Sequence, residues 1–247
     1  MSEVNFLKAN WNLLEGFRSD QSKGIEHPYV QKPVDGSIAV IDLPAVKPGI
    51  IPDLDDLNIL EVFNSRRSVR KFTDDPVSLE ELSWLLWSTQ GVQKVLGNGV
   101  ATLRTVPSGG ARHPFVTYLL VNNVTGIEPG LYRYLPLDHS IVCLGEQKPP
   151  EKVTSGCLGQ TFCGECAVTF VWSVIPYRTQ WRYGPVSHKI IAIDAGHLCQ
   201  NLYLACTATG LGTCGIGAYD QEAMDSLLGF DGKDEFTIYI APVGRRK

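Results

Sequence analysis

No stretch of this chain is apolar for long enough to cross a bilayer. The longest such run, residues 166–177, is broken by Thr169, Ser173 and Pro176 and falls well short of the roughly 20 residues a spanning helix needs. The N-terminal Met-Ser-Glu-Val-Asn-Phe has neither a charged n-region nor an apolar h-region, so no secretory signal is read and a cytoplasmic location is expected. Charge of one sign is also missing. With 22 basic against 26 acidic side chains the net charge is −4, which excludes the basic face that a nucleic-acid or membrane-surface partner would need. Cysteine is too sparse for a disulfide framework: seven in 247 residues, an odd number. There is no internal repeat, low-complexity tract or inter-domain linker. What is present is a globular composition, 44% hydrophobic and 19% charged, in a chain long enough to build a core without metal or disulfide.

Two parts are distinguished along the chain. Residues 1–55 read as a short amphipathic helix (Phe6, Leu7, Leu13, Leu14, Phe17) followed by an extended arm rich in Pro, Gly and Asp, with a strand-like alternation at residues 37–43. Residues 56–247 read as one α+β domain. Asp56 is a plausible N-cap for a helix to about Ser65, and Ser78-Leu-Glu-Glu81 fits a capping box ahead of a stripe of leucines. Strands are expected at residues 115–122, 130–135, 141–144, 167–175, 211–216 and 235–243 on β-branched and aromatic content. A long helix is expected over residues 187–209, stopped by Gly210, and a shorter one between Asp220 and Gly229.

Four clusters bear on chemistry. In Arg66-Arg67-Ser68-Val69-Arg70-Lys71, an extended backbone would project Arg66, Ser68 and Arg70 to one face, and guanidinium forks with a hydroxyl suit phosphate oxygens. A solvated basic face is the alternative reading. Pro107-Ser108-Gly109-Gly110-Ala-Arg-His113-Pro could bring backbone close to a planar or charged ligand. A serine nucleophile is disfavoured there, because the G-x-S-x-G elbow is absent and no acidic orienter is close in sequence. Gly210-Leu-Gly-Thr-Cys-Gly215 matches G-x-G-x-x-G by letter, but a helix precedes it and a strand follows, the reverse of the dinucleotide fingerprint. Cys163-Gly-Glu-Cys166, with no second pair at matching spacing, reads as structural, reduced cysteine, and no metal site is expected.

Together these segments resemble the FMN-dependent nitroreductase family. Arg66-Arg-Ser-Val-Arg-Lys-Phe72 resembles its opening signature. Pro107–Pro114, Gly130-Leu-Tyr-Arg-Tyr134, Arg182-Tyr-Gly184, Asp194-Ala-Gly-His-Leu-Cys-Gln-Asn201 and Gly210–Gly217 are similar to its SagB-type branch, which includes thiazole/oxazole (azoline) dehydrogenases of peptide maturation. The likeness runs from about Leu57 to Arg245. It implies a nitroreductase-like fold, a central, mostly antiparallel sheet flanked by helices, in a homodimer with FMN at the subunit interface. It further implies that Arg66, Arg67, Ser68 and Arg70 bind FMN and that Arg245 reaches its phosphate. Pro107, Ser108, Gly109 and Gly110 would meet the isoalloxazine from the other subunit, and Gly215, Ile216 and Gly217 would face its central ring.

The function so implied is hydride transfer between NAD(P)H and a small organic acceptor, a nitroaromatic or quinone, with small molecules rather than macromolecules as substrates. Azoline dehydrogenases carry a Lys-Tyr pair that takes a proton from the ring carbon. That pair falls on Arg182 and Tyr183 here, and a guanidinium, protonated at any working pH, cannot act as the base. Azoline oxidation is therefore expected to be weak or absent. A non-catalytic flavin-binding protein is the alternative from a different class.

Overall fold

The computed structural model describes residues 6–52 and 54–247; the first five residues, on which the signal-peptide reading rests, and Asp53 lie outside it. The central layer is one seven-stranded sheet. Its strands in chain order are β1 (Val40–Asp42), β4 (Phe115–Val121), β5 (Gly130–Leu135), β6 (Ser140–Glu146), β7 (Val168–Val174), β8 (Leu211–Thr213) and β9 (Phe236–Arg245). They are arranged β1-β6-β5-β4-β7-β9-β8, and every neighbouring pair is antiparallel. A separate hairpin, β2 (Val92–Leu96) with β3 (Ala101–Arg104), completes the β-structure.

β4 and β7 are buried along their whole length, because both faces of the sheet are covered. One face packs on α2 (Leu79–Gln90) and α6 (Ser187–Ala208), through Leu82, Leu85, Leu86, Leu198 and Leu202 against Leu119, Phe170 and Trp172. The other packs on α3 (Pro150–Gly156), α4 (Phe162–Glu165) and α7 (Gln221–Leu228), through Val153, Cys163 and Met224 against Tyr118, Val171 and Ile240. The remaining helices are α1 (Ile59–Ser65) and α5 (Tyr177–Tyr183).

The local reasons are those of the sequence. Ser78 Oγ accepts from Glu81 N–H while Glu81 Oε2 accepts from Ser78 N–H, a closed capping box at the start of α2. Asp220 caps α7, and Gly229 ends it in the left-handed conformation at φ 76°. α6, 22 residues long, ends at Ala208, and Gly210 at φ 72° turns the chain into β8, so a helix does precede the glycine motif and a strand does follow it. The expected N-terminal helix gives way to short 3-10 turns, at residues 6–7 and at Trp11–Leu14, and α1 starts at Ile59 under Asn58 rather than at Asp56.

From there the chain to residue 44 runs over the domain as a strap. Gln21 N–H donates to Trp181 O and the Trp181 indole to Ile25 O, Lys32 pairs with Glu235, Arg133 donates to Pro33 O, and β1 joins the edge of β6. No helix among the described residues is long and apolar enough to cross a membrane.

Candidate functional site

The cationic segment and the glycine segment meet at Tyr203 on α6. Val69 N–H donates to Thr213 O at 2.9 Å, and Ser68 bridges Thr213, so residues 66–70 lie extended alongside β8. Tyr203 OH accepts from Gly215 N–H at 2.8 Å and shares a hydrogen bond with Ser68 Oγ at 3.1 Å, while the Arg66 guanidinium lies 5.4 Å over its ring. Close approach is required here. A Cβ on Gly212 would come within 2.6 Å of Val69 Cβ, and one on Gly215 within 2.6 Å of Tyr239 OH and 2.9 Å of Cys199 Sγ. Gly217 differs, since a Cβ there would meet nothing within 4 Å. Its backbone borders open space.

The individual placements of the other members vary. Arg70 and Ser68 are exposed and Arg66 is half-buried, and none of the cations at 66, 67 and 70 has an acidic partner among the described residues. Arg67 turns back to donate to Asn64 O and Arg66 O at the end of α1. Ile216 pairs by backbone with Ile240 and buries its side chain in the second core, so only its main chain borders the cleft. Arg245 ion-pairs with Glu81 at 2.7 Å, tying β9 to the α2 capping box. The adjacent Arg246 instead donates to Leu211 O and to Thr207 Oγ1, one turn beyond Tyr203 on α6.

The second cluster gathers around Asp194, also on α6. Its carboxylate accepts from Ser108 Oγ at 2.6 Å and from Gly109 N–H at 3.1 Å; burial raises its pKa and the Ser108 bond opposes that. Ser108 Oγ in turn accepts from His113 N–H at 2.9 Å. An acid therefore does stand beside Ser108, 86 residues on in the chain, where sequence proximity showed none. A hydrolytic triad still does not form. The His113 ring faces Thr102 O, and burial together with Arg104 pushes its pKa down to about 3.

Gly110, at φ 62°, faces Tyr183: a Cβ there would lie 2.6 Å from Tyr183 OH and 3.1 Å from Arg182 Cδ. The Arg182 guanidinium lies 5.5 Å over the Tyr183 ring, and Trp11 of the strap meets that ring edge-on at 6.1 Å.

Nine residues separate Asp194 from Tyr203, about 14 Å along α6 and about half a turn around it. The two clusters thus occupy opposite faces of one helix, and a single chain does not join them. The first fits an anionic, planar ligand: unneutralised guanidiniums, a hydroxyl and flat glycine backbone beside open space. The cysteines are not part of either in a reactive form. Six of the seven are buried, and burial pushes Cys166 up to about 11 and Cys199 up to about 12.

Tyr203, Asp194 and Arg246 were absent from the expected site. Tyr203 carries no signal in its neighbourhood, and Arg246 is distinguished from Arg245 only by strand alternation. Asp194 has a readable one, a lone acid on the apolar stripe of Ala195 and Leu198.

The nitroreductase family model matches residues 64–245. MJ1384 of Methanocaldococcus jannaschii, provisionally named a nitroreductase, is 34% identical over 197 residues, 79% of this chain and 95% of that protein. The trifolitoxin-processing protein TfxB of Rhizobium leguminosarum bv. trifolii is 29% identical over 133 residues, 52% of this chain and 36% of TfxB. A crystal structure from Ralstonia eutropha, provisionally described as a nitroreductase, superposes with TM-score 0.69 at 27% identity, over 87% of this chain and 92% of the other. The E. coli microcin synthetase McbBCD complex shares the fold, with TM-score 0.61 at 16% identity over 100% and 95%. The chain belongs to the nitroreductase family and is an oxidoreductase.

Proposed function

We propose that this enzyme is an FMN-dependent oxidoreductase that passes hydride from NAD(P)H to a small organic acceptor such as a nitroaromatic or quinone. The observation that carries this reading is the first cluster: a segment with three guanidiniums that have no acidic partner among the described residues, held through Val69 to Thr213 and through Ser68 to Tyr203, whose hydroxyl also holds Gly215. Members of the family generally use FMN. When bound, FMN supplies a hydride acceptor at N5, with charge building toward N1 and the C2 carbonyl.

The chain's own residues have separable tasks. Arg66 and Ser68 would hold the phosphate, with Arg246 the nearer of the two C-terminal arginines to α6. Arg70, exposed and unpaired, would place its cation beside the developing charge. The backbone of Gly215 and Gly217 would lie flat along the ring without side-chain bulk. Residues 107–110, fixed by Asp194, would close a second subunit's site, since one chain holds the two clusters on opposite faces of α6. That division supports a homodimer as the working form.

The absorption spectrum of the purified protein, followed by anaerobic mixing with NADH, tests the reading. A flavin spectrum, FMN on denaturation and bleaching by NADH are expected. FAD, or no flavin after reconstitution, would reject it, and bound FMN that neither NADH nor NADPH bleaches would favour a flavin-binding protein without turnover.

The likeness to TfxB and the contact of Tyr183 with Gly110 support a second reading, azoline oxidation in a peptide. There Tyr183 would be the proton-handling group and Arg182 a positioning cation. We expect this activity to be weak beside acceptor reduction. Efficient oxidation of a thiazoline peptide, lost in Tyr183→Phe, would reverse the ranking.

A further inference from the structure

Strands β4 and β5 pair from Tyr118↔Arg133 to Val121↔Gly130 and then part. Residues 115–117 continue along β7, and Tyr134 and Leu135 along β6, which leaves a fork in the sheet. The strap fills it with residues 30–33. Arg104 donates to Val30 O at 2.9 Å and to Gln90 Oε1 at 2.6 Å, Gln90 donates to Phe115 O, and Arg133 donates to Pro33 O at 2.7 Å. A cavity of about 10 Å³ remains, room for one atom-sized occupant, and Lys32, Gln90, Thr117, Arg133 and Arg178 line it.

The charge around this cavity does not balance. Arg104, Arg133 and Arg178 are 7%, 5% and 4% exposed. Burial lowers Arg104 to about 9 and Arg178 to about 10, so both remain cations at neutral pH. With Lys32 they make four positive groups. Among the described residues the carboxylate bonded among them is Glu235, which accepts from Lys32, from Tyr118 OH at 2.9 Å and from Ser173 Oγ at 2.6 Å and also favours the Arg178 cation, one negative charge against four positive. Two buried donors that line the cavity, Arg133 Nε and Thr117 Oγ1, have no hydrogen-bond partner. A water molecule would fill the space but leave the charge. A small anion answers both, because burying unpaired guanidinium is costly and an anion in low dielectric offsets it.

We infer that the fork binds a monovalent halide, chloride under ordinary conditions, clasped between Arg133, Arg178 and Lys32. Because residues 30–33 of the strap close the cavity, halide binding and docking of the strap are thermodynamically linked.

The test compares thermal unfolding of the whole protein in gluconate and in chloride at constant ionic strength. A saturable rise in Tm of about 2–4 °C with chloride, matched by bromide, is expected. The rise should vanish in Arg133→Met. Should that variant not fold, bromide-soaked crystals of the wild-type protein decide, through an anomalous peak between Arg133 and Arg178. A Tm indifferent to halide, or a fork without bromide signal, would overturn the inference.

Discussion

His113 shows how much of this site is decided by single side chains. It sits at φ 42°, hands its N–H to Ser108, and keeps its imidazole against Thr102 O where burial holds the pKa near 3. A folded pKa depressed below the unfolded value of about 6.5 means the neutral ring contributes stability above pH 6.5. That contribution drains away as pH falls toward 3, by up to about 1.4 kcal/mol per pH unit. Asparagine tolerates positive φ and does not titrate, so His113→Asn should flatten the loss of stability between pH 7 and pH 4 in urea melts. Equal slopes in variant and wild type would place the acid sensitivity elsewhere. Arg70→Ala should weaken FMN binding and lower the reduction potential of the flavin that remains, at a cost of about 1–3 kcal/mol. Unchanged Kd and potential would make Arg70 a surface cation. At this scale the sequence was informative where spacing carries chemistry, as in Arg66, Ser68 and Arg70 alternating on an extended backbone. It was silent on Tyr203 and on the partner of Ser108, because both contacts are made across tens of residues by the path of α6.

Among the elements, the capping box, the long helix and the buried strands were legible, since each is driven by a local rule or by continuous apolar content. The hairpin β2–β3 was not. β2 buries little, and β3 buries the polar Thr102 and Arg104 while Leu103 stays exposed, so no apolar alternation marks it. The 3-10 turn at residues 11–14 replaced a predicted helix because its apolar residues stay largely outside any core. The contact between β8 and residues 66–70 offers a clean test. Gly212→Ala would drive a methyl into Val69 Cβ, at a cost of about 1–3 kcal/mol, and adding Val69→Gly, which removes that Cβ, should cost less than the sum of the two single changes. Additive losses in the double variant, read from denaturant midpoints, would mean that the two positions do not touch. Ser78→Ala should cost about 1 kcal/mol by the same measurement, and Glu81→Gln more, since Glu81 serves both the cap and Arg245.

At the scale of the whole molecule, α1 leaves Ile59, Leu60 and Phe63 more than half exposed in a row beside a groove lined by Trp84, Trp87 and Leu204. Such a face suits the second subunit of the proposed homodimer. Phe63→Glu should shift the protein toward monomer in analytical ultracentrifugation and lower flavin occupancy in parallel. A monomer that keeps stoichiometric FMN would show that one chain suffices.

The strap has one more consequence, for the order in which the molecule is made. Residues 21–33 leave the ribosome early, yet their partners Trp181 and Glu235 follow some 160 and 203 residues later. Even the nearest of its other partners, Arg104 and Arg133, follow 74 and 100 residues on, and these long loops make the full docking a late closure whatever its final affinity. It is translated before its partners and locked after them. In pulse-labelled hydrogen exchange during refolding, the Gln21 and Leu43 amides should gain protection after those of β4 and β7, so that the sheet edge at β6 stays open while the rest of the sheet forms.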